Sequence, residues 1–386
     1  MATAAKLLGH EITHYNVRMT EESNEASFKG RIRHYAEALN PLFDSTLFMT
    51  SDRLFEYVCV LVRAGGLQGQ DWDPWYESQD TLDDLGNLST LELPTALFSD
   101  PARTRVRLSL LSYCHLTEMD LPYSLAANLL RLRLGKKYDM TPFRDLFKPI
   151  GKKDSSLFQK MRPPSPGAKI GRIRELAEAA HVPDVAQAFE SIYDRVIRNA
   201  VYHSDYTLSR GEFRMLSGYR VSRKKGHGSP VVEWDELSEL FMNTFAFHTA
   251  LFSLYERCRK SFGDFKDALI PYDGHYKGIL QMVFDEEQRL TGFRVYWPNA
   301  TVGEYNRTRQ GSTGVNLTFD PDGSINFMVG LYASNRSVFS PLVERGQGAA
   351  YAEVPGARVR PHWPEDLKIY KLSSGESEYQ KTAETH

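Results

Sequence analysis

The stretch at positions 232–262, VEWDELSELFMNTFAFHTALFSLYERCRKSF, decides the fold because the residue pattern changes at its end. Within it, apolar residues recur at helical spacing from Leu237 to Leu254, which predicts a long amphipathic helix. After Phe262 short alternating runs follow, and Asp320-Pro321-Asp322-Gly323 between two of them predicts a hairpin turn. We therefore expect an α+β fold with a helical first two-thirds and an antiparallel β-rich end.

Upstream of this stretch the sequence predicts further helices, joined by two long loops. The helices are FKGRIRHYAEALNPLF (28–43), SDRLFEYVCVLVRAGG (51–66), a segment that opens at Asp100-Pro101 and continues to Gly135, and a helix from about Asp184 to His203. The loops are the acidic segment 66–100 and the basic segment 136–167. The predicted domains are a mostly helical N-terminal region with the acidic loop (1–100), a helical bundle (101–262), a β-rich domain (263–372) and a disordered tail (373–386).

The composition indicates a folded protein whose net charge creates no strong electrostatic field. The 386 residues are 41% hydrophobic and 25% charged, and the formal net charge is -2, so any contact with nucleic acid must come from a local basic patch. Cys59, Cys114 and Cys258 lack the spacing of a metal or redox motif and are expected to be reduced thiols. The first residues, MATAAKLLGHEITH, lack the apolar region of a signal peptide, and no window has the length of a membrane span. We expect a cytoplasmic protein that does not enter membranes.

The candidate site is the end of the helix predicted to finish at His203, in the sequence RNAVYH (198–203). Arg198 and His203 have Arg-x4-His spacing, which is weak by itself. Similar pairs, Arg174 with His181 and Arg220 with His227, lie respectively at a Val-Pro helix stop and in a Gly- and Lys-rich loop. Only Arg198 and His203 sit at the end of a well-patterned helix, and a rigid element positions a site better than a loop does.

With its surroundings, this motif resembles the HEPN (higher eukaryotes and prokaryotes nucleotide-binding) superfamily, whose ribonucleases carry an Arg-x4-6-His motif. The resemblance covers about residues 101–262: a helix with Glu118 and NLLR, then RNxxxH, then another long helix. It implies an endoribonuclease without metal or cofactor, in which the ribose 2′-hydroxyl attacks the adjacent phosphate and leaves a 2′,3′-cyclic phosphate. Proteins of this superfamily often serve as toxins or in antiviral defence.

Each residue of the motif has a role that the resemblance implies and that its chemistry suits. His203 is expected to transfer protons, because histidine titrates near neutrality, and Arg198 to hold the phosphate with its planar guanidinium. Asn199 would orient one of them or the RNA, and Glu118 and Asp205 would act as supporting groups. Residues five apart on an ideal helix point about 140° away from each other, so either the helix ends near Tyr202 or a second chain completes the site. We expect a homodimer with a composite site.

RNA would also need a positive surface. The basic residues proposed for RNA binding are Lys136, Lys137, Lys152, Lys153, Arg223, Lys224 and Lys225. Tyr138, Phe143 and Phe147 lie in the same basic stretch and are candidates for stacking on unpaired bases. A solvated linker would have the same composition.

Other interpretations of the same residues remain open. At a helix end, His203 could bind the last carbonyls and Arg198 could pair with Asp194 or Asp205. The bundle would then be a non-catalytic HEPN-like dimerisation or binding module, with the β domain recognising a ligand or a regulatory protein. His203-Ser204-Asp205 has no third ligand at recognisable spacing, so a metal site is not expected.

Overall fold

A computed structural model describes twelve stretches of the chain, and its described residues form two compact units. The stretches are 21–44, 51–65, 73–150, 161–209, 211–216, 230–266, 268–273, 277–296, 302–320, 323–327, 351–353 and 370–372. Residues within Met1–Pro41, Glu77–Tyr123 and Phe143–Ser253 form the first, which we call the helical unit. Those within Leu42–Tyr76, Ser124–Pro142 and Leu254–His386 form the second, the sheet unit. The predicted α+β class is confirmed.

The helices occupy most of the described residues before position 262. They are α1 (Glu21–Leu39), α2 (Ser51–Leu61), α3 (Pro74–Thr90), α4 (Pro101–Glu118), α5 (Asp120–Arg133), α6 (Pro166–Ala179), α7 (Pro183–Ser191), α8 (Arg195–Tyr202) and α9 (Trp234–Ser261). Short 3-10 turns cover Asn40–Phe43, Arg144–Leu146 and Phe262–Phe265. The long helix predicted over 232–262 is α9, and the predicted start at Asp100 is also confirmed, because its side chain accepts the Arg103 N–H at 3.0 Å.

Among the described residues, the strands form one large sheet and three small ones. The small sheets contain β1 (Lys148–Pro149) with β2 (Met161–Arg162), β3 (Tyr206–Ser209) with β4 (Glu212–Met215) and β5 (Val231–Glu233), and β11 (Leu317–Phe319) with β12 (Ile325–Phe327). The large sheet contains β6 (Ala268–Asp273), β7 (Lys277–Phe284), β8 (Leu290–Tyr296), β9 (Val302–Thr308), β10 (Gly311–Val315), β13 (Tyr351–Glu353) and β14 (Tyr370–Leu372). Its strand order is β10-β9-β8-β7-β6-β14-β13, and every neighbouring pair is antiparallel.

The hairpin turn predicted at 320–323 is confirmed. It joins β11 to β12, Gly323 has a φ of 85°, and the Gly323 N–H donates to Asp320 O at 2.8 Å. Glycine suits this position because it adopts the left-handed region without steric cost.

The prediction that the acidic segment 66–100 is a loop is wrong, because helix α3 occupies Pro74–Thr90. Asp73 caps the start of this helix by accepting the Trp75 N–H at 3.0 Å, and proline is well suited to a first helical position. Trp75 is fully buried and lies against Tyr255, with ring centroids 4.2 Å apart. Burial of a large aromatic side chain outweighs the turn-forming composition around it.

The single helix predicted from Asp184 to His203 is two helices, α7 and α8, separated by residues 192–194. The Asp194 carboxylate caps α8 by accepting the N–H groups of Val196 and Ile197 at 2.7 and 2.9 Å. The Asp194 N–H donates to the Tyr113 hydroxyl of α4 at 2.7 Å, which fixes the junction. Apolar spacing continued across the break because Ile192 and Ile197 on either side are both buried.

The predicted domain boundaries differ from the two units. The proposed division near residue 262 falls after α9, yet α9 has residues in both units, and so does α5. The region 101–262 also contains the small β3-β4-β5 sheet, which its helical patterns did not predict. The proposed tail 373–386 lies outside the described residues.

An aromatic core joins three helices of the helical unit. Phe189 of α7 contacts Phe247 of α9 with centroids 4.8 Å apart, and Tyr35 of α1 packs edge-on against the same ring at 5.7 Å. Next to Phe247, His248 is buried and its Nδ1 lies 2.8 Å from Thr244 O. Burial lowers the pKa of His248 to about 4, so the ring is neutral in the folded protein at neutral pH.

Candidate active site at the end of helix α8

Helix α8 ends between the two residues of the Arg-x4-His motif. The His203 N–H donates to Asn199 O at 3.0 Å and the Asp205 N–H to Ala200 O at 2.9 Å, around Ser204 with a φ of 56°. This arrangement is a helix C-cap with one left-handed residue. The expected end of the helix near Tyr202 is therefore confirmed.

The Arg198 guanidinium is held by three neighbours in the helical unit. Its Nε donates to Glu118 Oε1 at 2.7 Å, its Nη2 donates to the same oxygen, and its Nη1 donates to Asn199 Oδ1 at 3.0 Å. The guanidinium carbon lies 4.4 Å from the centre of the Tyr202 ring, within cation–π range. Three of the five N–H groups are used in these bonds, which leaves two to bind an anion.

The ion pair is only partly buried. The Arg198 side chain is 24% exposed and that of Glu118, the last residue of α4, is 32% exposed. Tyr202 is 51% exposed. Arg198, Glu118 and Tyr202 therefore form a surface site in which the guanidinium is held in one orientation.

Unlike Arg198, His203 has a side chain that no described residue holds in place. It is exposed, and within the described residues its ring forms no hydrogen bond or ion pair. Asp205 is half-buried, and its carboxylate likewise has no side-chain partner in the described part of the chain. In the alternative interpretation Arg198 pairs with a nearby acid such as Asp194 or Asp205, but its acidic partner is Glu118, and Asp194 caps α8.

Beneath the ion pair lies Cys114, which sequence inspection did not connect with this site. It is buried, and its Sγ lies 4.0 Å from Arg198 O. Burial, with a contribution from Glu118 and against the effect of Arg198, raises the pKa of this thiol to about 12. Cys114 is therefore a packing residue rather than a nucleophile at neutral pH.

The proposed RNA-binding residues are only partly described. Lys136 and Lys137 are exposed in the sheet unit after α5, whereas Lys152, Lys153, Arg223, Lys224 and Lys225 lie outside the described residues. Tyr138 and Phe143 are buried, so the idea that they stack on bases is wrong for the folded protein.

Several other basic residues of the stretch 131–174 are paired internally. Arg131 lies 3.5 Å from Asp139, Arg172 donates to Asp145 at 2.6 Å, and buried Lys169 pairs with Asp120.

A scan against protein-family models, a search of curated proteins and a search of solved structures each returned no match for this chain. Within the described residues, no group of three or more His, Cys, Asp or Glu side chains is arranged to hold a metal ion. Among the same residues, no helix combines the length and apolarity needed to cross a bilayer.

Proposed function

We propose that the protein is a metal-independent endoribonuclease of the HEPN type, with Arg198, Asn199 and His203 at its active site. The observation that supports this activity is the difference between two side chains at the end of α8, one held in place and the other exposed. Glu118 and Asn199 hold Arg198 in place and leave two of its N–H groups to bind an anion. The exposed His203 is the first residue after the helix ends. This segment offers an oriented cation and, five residues further on, an exposed proton-transfer group.

In this mechanism the RNA supplies the nucleophile. His203 accepts the proton of the ribose 2′-hydroxyl as the oxygen attacks phosphorus, and the bond from phosphorus to the 5′-oxygen breaks. The leaving 5′-oxygen takes up a proton, so the products are a 2′,3′-cyclic phosphate and a 5′-hydroxyl. Arg198 binds the non-bridging oxygens and stabilises the charge that builds up on them. Glu118 is a positioning residue because it acts through Arg198.

A homodimer is part of the proposal because the reaction needs one proton removed and one supplied. A second copy of the same helix end would bring a second His203, so one ring would act as base and the other as acid. RNA contacts by Lys136 and Lys137, a regulatory protein partner and a role as a toxin or in antiviral defence belong to the same proposal. A cytoplasmic location does too, and the three buried free thiols are compatible with it.

The decisive experiment is cleavage of end-labelled RNA by the full-length protein in excess EDTA, with product ends identified by mass spectrometry. We expect cyclic phosphate ends from the wild type and a loss of about 10²–10⁴-fold in rate for His203→Ala and Arg198→Ala. Both variants should retain the circular dichroism spectrum of the wild type.

The chain provides a matched control in its other Arg/His pair. His181 is exposed and has a φ of 57°, which asparagine tolerates, and Arg174 forms an exposed ion pair with Glu190. The double variant Arg174→Ala/His181→Asn should cleave as the wild type does. Cleavage that survives in His203→Ala, or that is absent from varied RNAs, would exclude the assigned site.

A second candidate function is supported by the Arg198–Glu118 ion pair itself. Such a pair also joins α4 to α8 as a structural clamp, as expected of a non-catalytic HEPN-like dimerisation or binding module. In that case His203→Ala would leave every function unchanged, whereas Arg198→Ala would lower stability. The same set of variants therefore distinguishes the two candidates.

A further inference from the structure

Helix α8 has one face that is buried in the helical unit and one face that reaches solvent. The buried residues of the helix are Ile197, Ala200 and Val201. Successive residues of an α-helix turn by about 100°, so four other residues share the opposite face, within an arc of about 100°. They are Arg195, Arg198, Asn199 and Tyr202. The face therefore begins with Arg195 and continues into the candidate active site.

Arg195, the first residue of α8, has a guanidinium group without a partner. It is exposed, and within the described part of the chain it forms no hydrogen bond or ion pair. The neighbouring Asp194 carboxylate is already used by the N–H groups of Val196 and Ile197. A cation is also unfavourable at the start of a helix, where the helix dipole favours negative charge. The stability of α8 therefore does not account for an arginine at this position.

Arg195 and Arg198 act on the same surroundings. Burial raises the pKa of the Tyr193 hydroxyl, an effect that Arg198 and Arg195 both oppose and that Glu118 supports. Both guanidinium groups thus lie within electrostatic range of one hydroxyl. Three residues of an α-helix span about 4.5 Å along its axis, and successive phosphates of one strand in a duplex are about 3.4 Å apart along the axis. The two arginines are therefore spaced to reach neighbouring phosphates of one strand.

We infer that Arg195 binds the RNA phosphate next to the one that is cleaved, while Arg198 binds the reacting phosphate. Arginine suits this contact because its planar fork presents parallel N–H groups to phosphate oxygens. The assignment rests on the proposed ribonuclease activity and adds a binding subsite to it. Because Arg195 does not touch the reacting atoms, its contact is the same before and during the reaction, so it lowers KM and leaves kcat unchanged.

The first test is the salt dependence of RNA cleavage by the full-length protein, measured as kcat/KM between about 50 and 200 mM NaCl. For Arg195→Gln we expect KM to rise roughly fivefold, the contribution of one exposed charge pair, with kcat unchanged. The slope of log(kcat/KM) against log[salt] should be shallower by about 0.7, the value for one phosphate of a single strand. Arg195→Lys retains the charge and should keep the slope of the wild type. Arg174→Gln is the matched control, because Arg174 is an exposed arginine of the helical unit whose charge is paired with Glu190.

A second test locates the phosphate that Arg195 binds. The probes are 2′-O-methyl RNA oligomers with a single 2′-hydroxyl, which are cleaved at one linkage only. A neutral methylphosphonate replaces the phosphate on one or the other side of that linkage. One of the two replacements should lower kcat/KM of the wild type roughly fivefold. The same replacement should have little effect on Arg195→Gln, because the contact is already absent.

Three outcomes would overturn the assignment and leave the ribonuclease activity standing. They are equal salt slopes for the wild type and Arg195→Gln, equal losses in both proteins when a phosphate is made neutral, and a fall in kcat without a rise in KM. The last result would mean that Arg195 only supports the structure of α8. If the wild type cleaves no RNA, the proposed function fails, and the assignment fails with it.

Discussion

Two arginine–carboxylate pairs in this protein have similar chemistry but opposite surroundings. In the sheet unit, Arg63 donates from Nη1 and Nη2 to the two oxygens of Asp73 at 2.6 Å each, and the side chains are 11% and 0% exposed. In the helical unit, Arg198 binds a single oxygen of Glu118, and the side chains are 24% and 32% exposed. The first pair is closed to solvent, whereas the second leaves N–H groups accessible. The difference separates a structural ion pair from a candidate catalytic one.

The buried pair belongs to a wider polar network. Arg63 Nε donates to the Tyr255 hydroxyl at 2.9 Å, and Arg307 Nη1 donates to Asp73 Oδ1 at 3.3 Å. Burial alone would raise the pKa of Asp73, but hydrogen bonds and charge from Arg63, with help from Arg307, hold it below its ordinary value. Asp73 is thus ionised in the folded protein, and its negative charge is required there.

The largest effect should follow from Asp73→Ala. It leaves the Arg63 guanidinium buried without a counter-charge and removes the cap of α3, so we expect a loss of about 3–5 kcal/mol in the free energy of unfolding. Urea unfolding followed by circular dichroism measures it. Glu239→Ala is the control, because Glu239 is 60% exposed in its pair with Arg31 and should contribute less than about 1 kcal/mol. Equal losses in the two variants would contradict this contrast.

The same contrast between a buried and an exposed group is found in two histidines, because His248 is buried and His203 is exposed. The buried one makes the stability depend on pH. The pKa of His248 is about 4 in the folded protein against about 6.5 in an unfolded chain, so the unfolded state binds more protons between these values. Stability from this residue is complete above about pH 6.5 and is lost as the pH falls towards 4, by about 3 kcal/mol.

Urea unfolding of the wild type and of His248→Gln between pH 4 and pH 7 measures this contribution. The stability of the wild type should fall more steeply with acid than that of the variant. Parallel curves would show that the pKa of His248 is the same in the folded and unfolded states.

The next effect is smaller and concerns Glu118. Glu118→Gln keeps the shape of the side chain but removes the charge that directs Arg198, so we expect cleavage to slow roughly tenfold in kcat with little change in KM. Stability should change by less than about 1 kcal/mol because the pair is partly exposed. Glu175→Gln, at the 69% exposed partner of Arg172, is the matched control. Unchanged kcat in Glu118→Gln would leave Glu118 as a structural residue only.

The sequence predicts the elements whose signals are local, and it misses those decided by distant contacts. The cap at Asp100, the helix α9 and the turn at 320–323 are all visible in a few adjacent residues. Helix α3 is not, because its composition is acidic and burial of Trp75 decides it. The α7–α8 break is not either, because the apolar spacing runs through it and Tyr113, 81 residues away, fixes the junction.

The candidate site follows the same rule. RNAVYH draws attention to Arg198 and His203, and the resemblance adds Glu118 as a supporting group. That Glu118 binds Arg198 across 80 residues of sequence emerges only from the packing of α4 against α8. Tyr202, by contrast, lies inside the motif, where the sequence predicts only that the helix ends near it. Its contact with Arg198 follows from their i, i+4 spacing on α8, whereas its exposure is seen only in the structure.

The smallest effect should come from Tyr202, whose exposed ring is the part of the open site suited to an unpaired base. Burial raises the pKa of its hydroxyl, so the ring is neutral at physiological pH and its face can stack on a base. Because Arg198 already occupies part of the ring, we expect Tyr202→Ala to raise KM for RNA roughly fivefold, the low end of base–aromatic stacking, with kcat nearly unchanged. Tyr202→Phe retains the ring and should restore the KM of the wild type. A fall in kcat without a rise in KM would instead mean that the ring serves to hold Arg198, which would place Tyr202 with Glu118 among the positioning residues.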